Sequence, residues 1–284
     1  ANLEHFTLNQ QYPKHCRFAI VKMRPLRLYS AFVNGYDRAV LRGLSPLMST
    51  PGSQTLRGRA RTSLNQNVFV TEPNGSVDQY PLATRRRRFS ATVPFPTAGE
   101  YQVEVVAASG QDVFNVSVFV DTHTFVPMGL RFPRDPRAAS QKALDAFSVR
   151  LLNRFRRQEH LSRFSLDSNL SKAAQRHNWD MVRFGYYYAH PHIGSDGSTP
   201  PQRLAQFGVA CTSWAEVEGD GASVGNLVDR WLLSPVHRLI LQGSESRVGV
   251  GVNRAAGGWL MTVDLCAGES LTSHHHHHHR PTHH

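Results

Sequence analysis

Cysteine is scarce in this 284-residue sequence, with only Cys16, Cys211 and Cys266 present. So few exclude a disulfide-stapled scaffold and a four-cysteine zinc site. Cys211 and Cys266 lie in the same half and either form one bridge, leaving Cys16 unpaired, or stay with it as buried thiols. Lysine is nearly as rare: Lys14, Lys22, Lys142 and Lys172 are four of 32 cationic residues, and the rest are arginine. No apolar run approaches the ~18 residues needed to cross a bilayer, so no transmembrane segment is expected. The chain opens at Ala1 without a basic-then-apolar leader, so a signal peptide is either absent or has been removed. Of 16 histidines, His274 to His279, His283 and His284 sit in a tail, residues 271–284, that reads as a purification tag. Any metal site must come from the other eight.

A length of 284 residues suggests two domains at roughly 150 residues each. Hydrophobic residues at 40% and charged residues at 19% exclude a disordered or collagen-like chain. The net charge of +11 is uneven, because residues 1–134 hold 16 cations against 8 acids. Arginine suits bidentate contact with phosphate or carboxylate, so a cell-surface or polyanionic partner fits the basic first half. Its densest run is Arg85-Arg86-Arg87-Arg88. The ordinary reading of that run is a solvated edge or loop that discourages strand-to-strand aggregation. No recognition helix or RNA-binding motif accompanies it, so no specific nucleic acid is expected.

Residues 1–121 read as β. Val68-Phe69-Val70, Phe89 to Val93, Tyr101 to Val106 and Val113 to Val120 are rich in β-branched and aromatic residues. Pro73-Asn74-Gly75, Pro96 to Gly99 and Ser109-Gly110 supply turns between them. Short strands with regular turns predict an all-β sandwich of immunoglobulin-like type. His5, His15 and His123 are scattered and read as surface or capping residues. Residues 122–138, with Pro127, Pro133 and Pro136, read as a linker.

The pattern then becomes helical. Leu144, Phe147, Leu151 and Phe155 make one apolar stripe, and Leu170, Ala173, Ala174, His177, Met181 and Phe184 a second, capped by Asp167 or Ser168. Thr199-Pro200 opens a short helix closed by Gly208. Ser223 caps another with Val224, Leu227, Val228 and Trp231, and Ser234-Pro235 starts one more. Strands Val248 to Val252 and Trp259 to Cys266 finish an α+β domain spanning residues 139–270.

Five histidines fall in this half. His177 belongs to an apolar stripe and reads as core or rim. His160 ends a helix, where a cation suits the dipole. His190 and His192 lie in a polar, glycine-rich segment, His190 to Pro200, of the kind that carries sites on a rigid scaffold. Glu216 and Glu218 fall in a mixed stretch, where solvated acids on a loop are the ordinary alternative to a site. His237 sits in the first turn of a helix, whose dipole favours the neutral imidazole. Two histidines with one or two carboxylates are the ingredients of a zinc-type or acid–base site.

The serial order of several motifs is more specific. Leu151-Leu152-Asn153 is followed by Leu166-Asp167, His177-Asn178-Trp179-Asp180-Met181, and His192 with Asp196-Gly197-Ser198-Thr199-Pro200 and Arg203. Trp231-Leu232-Leu233-Ser234-Pro235-Val236-His237-Arg238 and Val248-Gly249-Val250-Gly251 complete the set. The stretch from Leu151 to Cys266 resembles the CAP superfamily (cysteine-rich secretory, antigen five and pathogenesis-related proteins) in its bacterial form. The resemblance implies a three-layer αβα sandwich, usually secreted, whose cleft holds two histidines and acids and often a divalent metal such as zinc. By position, His192 and His237 match the cleft histidines and Glu216 the glutamate before the tryptophan helix. The family's Gly-Glu-Asn-Ile is replaced here by Ala215-Glu216-Val217-Glu218, which leaves Glu218 as the alternative. Asp196 is the expected second acid, with His190 as fallback. The first half resembles no family.

Two functions follow as expectations. One is an extracytoplasmic binding or signalling protein with a divalent cation in its cleft and the β-sandwich as attachment domain. The other is a metal-dependent hydrolase of peptide or cell-wall material, with Glu216 activating the metal's water.

Overall fold

The computed structural model describes residues 18–21, 29–32, 39–121, 140–187, 190–255 and 258–268. The expectations for His5, His15, Cys16, His123, the linker and the tail fall outside them. Contacts divide the chain into two units, residues 1–134 with 225–242, and residues 135–224 with 243–284.

The first unit is strand-rich. Strands β1 (Phe18–Val21) and β2 (Tyr29–Phe32) pair with each other. They are followed by β3 (Ala39–Arg42), β4 (Leu47–Met48), β5 (Gly52–Ala60), β6 (Asn67–Thr71), β7 (Val77–Pro81) and β8 (Ala83–Arg85). Last come β9 (Arg88–Phe95), β10 (Gly99–Val106) and β11 (Asp112–Val120). They make a four-stranded sheet, β3-β5-β9-β8, and a five-stranded sheet, β4-β11-β10-β6-β7. In β5 and β9 alternation decides which side is buried, whereas β10 is buried along its whole length. In β5, Leu56 and Ala60 are buried while Arg57 and Arg59 are exposed; in β9, Phe89, Ala91, Val93 and Phe95 are buried. Apolar residues of both sheets, among them Leu56, Phe89, Val70, Val103 and Val116, share one buried cluster. Tyr101 lies edge-on to Phe95 with ring centres 5.0 Å apart, and its hydroxyl donates to the Thr97 carbonyl at 2.9 Å.

The second unit contains α1 (Gln141–Gln158), β12 (Ser165–Leu166), α2 (Ser168–Phe184), α3 (Pro200–Gln206) and β13 (Trp214–Gly221). After α4 (Val224–Leu233) and α5 (Pro235–Leu241) come β14 (Arg247–Ala255) and β15 (Gly258–Cys266). Its sheet runs β12-β14-β15-β13. The segment Trp214 to Glu218, for which solvated acids on a loop are one of two readings from sequence, is a strand. Its acids are buried because β13 pairs along its whole length with β15. Helix α2 starts at Asp167, whose carboxylate accepts from the Asn169 and Leu170 amides, and stops at Gly185 in the left-handed conformation. Phe184, expected in the stripe, points outward at the last turn. Helix α5 belongs to the first unit's contacts, against β6, β7 and β10.

The approach of α2 to the sheet is set by two glycines. Val248, Val250 and Val252 alternate with Gly249 and Gly251 along β14, so the valines face one side and the glycines the other. A Cβ at Gly249 would fall 2.1 Å from the Leu170 carbonyl carbon, and one at Gly251 would fall 2.5 Å from Ala174. The helix backbone therefore lies directly on the strand. Ser171 and Gln175 then accept from the Val250 and Val252 amides at 3.2 and 3.0 Å, serving the part of β14 that lies beyond short β12. A disulfide joins Cys211 to Cys266, which resolves the two alternatives for these cysteines.

Candidate functional site

Opposed residues of an antiparallel pair share a face, and so do residues two apart. Glu216 pairs with Asp264 and Glu218 with Thr262, while Gly249 and Gly251 pair with Asp264 and Thr262 from the other side. All therefore lie on the face covered by α2. That helix delivers His177 and Asn178, both buried. Asn178 donates to the Leu260 carbonyl at 2.9 Å and to Asn253 at 2.7 Å, which locks the helix in register with β15. His177 Nε2 then stands 2.9 Å from Glu218 Oε1 and 2.7 Å from the Pro191 carbonyl.

The third wall is the segment from His190 to Thr199. Asp180 on α2 anchors it, accepting from the Ser195 amide at 2.8 Å, the Ser195 hydroxyl at 2.7 Å and the Tyr186 hydroxyl at 2.6 Å. Burial works against charge on Asp180, but these hydrogen bonds outweigh it and lower its pKa. Burial, then Asp180, pushes the Tyr186 phenol up. Arg203, on α3, donates to the carbonyls of His192 and Ser198 at 3.1 and 2.9 Å and pairs with Glu216. His192 completes the group: its Nδ1 is 3.0 Å from Glu216 and 3.7 Å from Glu218, and its side chain keeps 36% of its surface exposed. It is the solvent-facing member of a set otherwise closed.

The electrostatics are asymmetric. Burial opposes ionisation of Glu216, yet the His192 hydrogen bond and the Arg203 charge prevail and hold it at about 2. Burial, then the neighbouring Glu216, raises Glu218 and Asp264 well above the carboxylate range. Burial lowers His177 and keeps it neutral. Three buried carboxylates thus face one guanidinium, and burial favours the neutral form of two of them.

Of the residues singled out from sequence, the structure brings together His192, Glu216 and Glu218. Asp196 accepts from the Ser198 amide at 2.9 Å within its own turn. His190 stacks on Tyr186 with ring centres 5.0 Å apart. His237 lies in the first unit, where Ser234 Oγ is 2.7 Å from its Nδ1 and Glu104 accepts from the same hydroxyl at 2.9 Å. Its nitrogen and the carboxylates of Glu104 and Asp112 come within 4.8 Å of one another, as do ligand atoms of His177, Glu216 and Glu218. Sequence reading left His177 in the core and gave no role to Arg203, Asp180, Tyr186 or Asp264. His177 at a spacing of seven from Leu170 looked like any stripe residue; only the strand register shows what it faces.

Residues 149–265 match the sequence model of the CAP, cysteine-rich secretory protein, family. No curated protein is similar to the chain in sequence at a significant level. Among solved structures, an extracellular SCP-domain protein of Bacillus anthracis is 15% identical, with 84% of this chain and 86% of that one covered and a TM-score of 0.39. A cysteine-rich secretory protein of Staphylococcus aureus is 12% identical over 83% and 82%, with a TM-score of 0.37. An outer surface protein of Borrelia burgdorferi is 20% identical over 42% of this chain and 87% of its own, with a TM-score of 0.36. Residues 149–265 are a CAP domain.

Proposed function

We propose that this protein is an extracytoplasmic binding or signalling module whose CAP domain holds a divalent cation, with the strand-rich unit attaching it to a cell-surface or polyanionic partner. The observation that carries the cation is the charge deficit on the α2 face. Glu216, Glu218 and Asp264 are buried beside a single guanidinium, and a doubly charged ion would balance the two carboxylates that otherwise stay protonated. His192, Glu216 and Glu218 would hold it, with His177 joining once its Nε2 leaves the Pro191 carbonyl. This nitrogen–oxygen donor set suits zinc and similar divalent ions. Bound there, the ion would order the His190–Thr199 segment. A cation held through His237 would instead use Glu104 and Asp112.

Binding is favoured over hydrolysis because Glu216, the base a metal-dependent hydrolase would need, is ion-paired to Arg203 and is a weak base at its lowered pKa. The buried valine face of the second sheet, opposite α2, supports a three-layer αβα arrangement. The apolar cluster shared by two sheets supports an immunoglobulin-like sandwich in the first unit. The relatives described as extracellular support an extracytoplasmic location.

Zinc titration by calorimetry, on protein freed of the histidine tail, tests the cation. One site is expected, lost in His192→Ala and Glu218→Gln and kept in His237→Ala. Loss only in His237→Ala would move the site to Glu104 and Asp112, and unchanged binding in all three would remove both of these sites.

A further inference from the structure

The four-stranded sheet β3-β5-β9-β8 has an outer face on which arginine recurs across every strand. Arg42 opposes Arg57, Arg59 opposes Arg88, and Arg88 opposes Arg85. Residues opposed or two apart share a face, so all five guanidiniums leave the sheet on the same side. All five are exposed, and they line one open cleft of about 780 Å³ whose lining contains no acid. Among the described residues, none of the five has an ion-pair partner. The same face continues into a hydroxyl pair, Thr55 and Thr92, 3.1 Å apart.

This arrangement works against the fold. Like charges directly opposite each other destabilise a sheet. The β8–β9 turn adds to the cost, because Arg86 and Arg87 have φ of 46° and 66°, where Asn-Gly would be unstrained. Protection of an exposed edge accounts for Arg85 on β8 and Arg42 on β3, which are edge strands. It does not account for Arg57 and Arg59 on β5 or for Arg88 on β9, which are interior to the sheet. Cost without structural return, concentrated on one face, points to a ligand.

We infer that this face binds a linear anionic polysaccharide bearing sulfate or phosphate esters. The inference rests on the attachment role proposed above and gives that role its partner class. Planar guanidiniums engage such tetrahedral oxyanions two hydrogen bonds at a time. Neighbouring strands put arginines about 5 Å apart across the sheet, and the two rungs lie roughly 7 Å apart along it, a spacing for repeated charges on an extended polymer. Among the described residues no aromatic ring lies on the face to stack a base, since Phe89 points inward, which disfavours single-stranded nucleic acid. Among the described residues Val40 is its one large exposed apolar side chain, too little to enter a lipid surface.

The test is calorimetry of the full chain with a heparin oligosaccharide at pH 8, where the tail histidines are uncharged. Neutral dextran, oligodeoxythymidine and phosphatidylglycerol vesicles are titrated alongside. Heparin is expected to bind with a log–log salt slope near −3, from four or five contacts at roughly −0.7 each. Arg57→Ala/Arg59→Ala should lose at least tenfold in affinity. Arg57→Lys/Arg59→Lys, which keeps the charge and preserves the strands, should lose severalfold with the slope unchanged. Undiminished heparin binding in the alanine variant, or no heparin binding at all, would overturn the inference. So would tighter binding to oligodeoxythymidine or to vesicles, although that outcome would leave an attachment role standing.

Discussion

The contact between α2 and β14 can be tested by a single methyl group. In Gly249→Ala the new Cβ would start 2.1 Å from the Leu170 carbonyl carbon, 2.4 Å from its Cβ and 2.4 Å from the Ser171 amide nitrogen, where 3.4 Å or more is ordinary. Two of these partners are helix backbone, so no side-chain rotation relieves the clash and α2 must retreat by more than an ångström. Overpacking of this kind costs about 1–3 kcal/mol. The retreat also stretches the Ser171–Val250 and Gln175–Val252 hydrogen bonds, at about 1 kcal/mol each. Opposing this, alanine restricts the unfolded chain and returns about 0.4–1 kcal/mol. The steric term wins, and a net loss of roughly 3 kcal/mol is expected. Urea unfolding followed by circular dichroism measures it. Gly185→Ala is the control: φ is 67° and nothing lies within 4 Å of its built Cβ, so only left-handed strain of about 1–2 kcal/mol applies. The retreat also moves His177 away from Glu218, so zinc affinity should fall in Gly249→Ala and hold in Gly185→Ala. A Gly249→Ala protein as stable as the control, with unaltered zinc binding, would refute the close approach and the site geometry built on it.

Two further outcomes follow from groups outside the candidate site. Burial, reinforced by Asp78, raises Glu72 to about 7, so the folded state holds a proton that the unfolded state releases near 4.5. Stability from this group is complete below pH 4.5 and is lost as pH rises through 7, by on the order of 2–3 kcal/mol; urea midpoints measured from pH 4 to 8 should fall less steeply in Glu72→Gln. The Cys211–Cys266 bridge spans 55 residues, and opening a loop of that size costs about 4 kcal/mol; melting with and without reductant should show the second unit destabilised.

Much of the second unit was legible in short windows. Leu144 to Phe155 and Leu170 to Met181 repeat at helical spacing, and Asp167 and Thr199 stand where the helices begin. Val248-Gly249-Val250-Gly251 reads as a strand from its alternation alone. Strand β13 was missed because Glu216, Glu218 and Asp220 place acids where a strand facing the core should be apolar. Glu216 and Glu218 are tolerated only because His177, His192 and Arg203 meet them. Likewise β5 was missed because glycine and arginine dominate it, and only its partner β9 makes Leu56 and Ala60 a buried row.

The chain's local order, its helix stripes, caps and turns, is written within a dozen residues at a time, since backbone periodicity and capping are short-range. Which side chains meet is decided by pairing between distant strands, where a slip of one residue would send every side chain to the opposite face. That register sets Glu216 and Glu218 beneath α2 with His177 and gathers Arg42, Arg57, Arg59, Arg85 and Arg88 on one surface. Neither grouping exists at any spacing along the sequence, because each is made by hydrogen bonds between strands that only the folded sheet brings together.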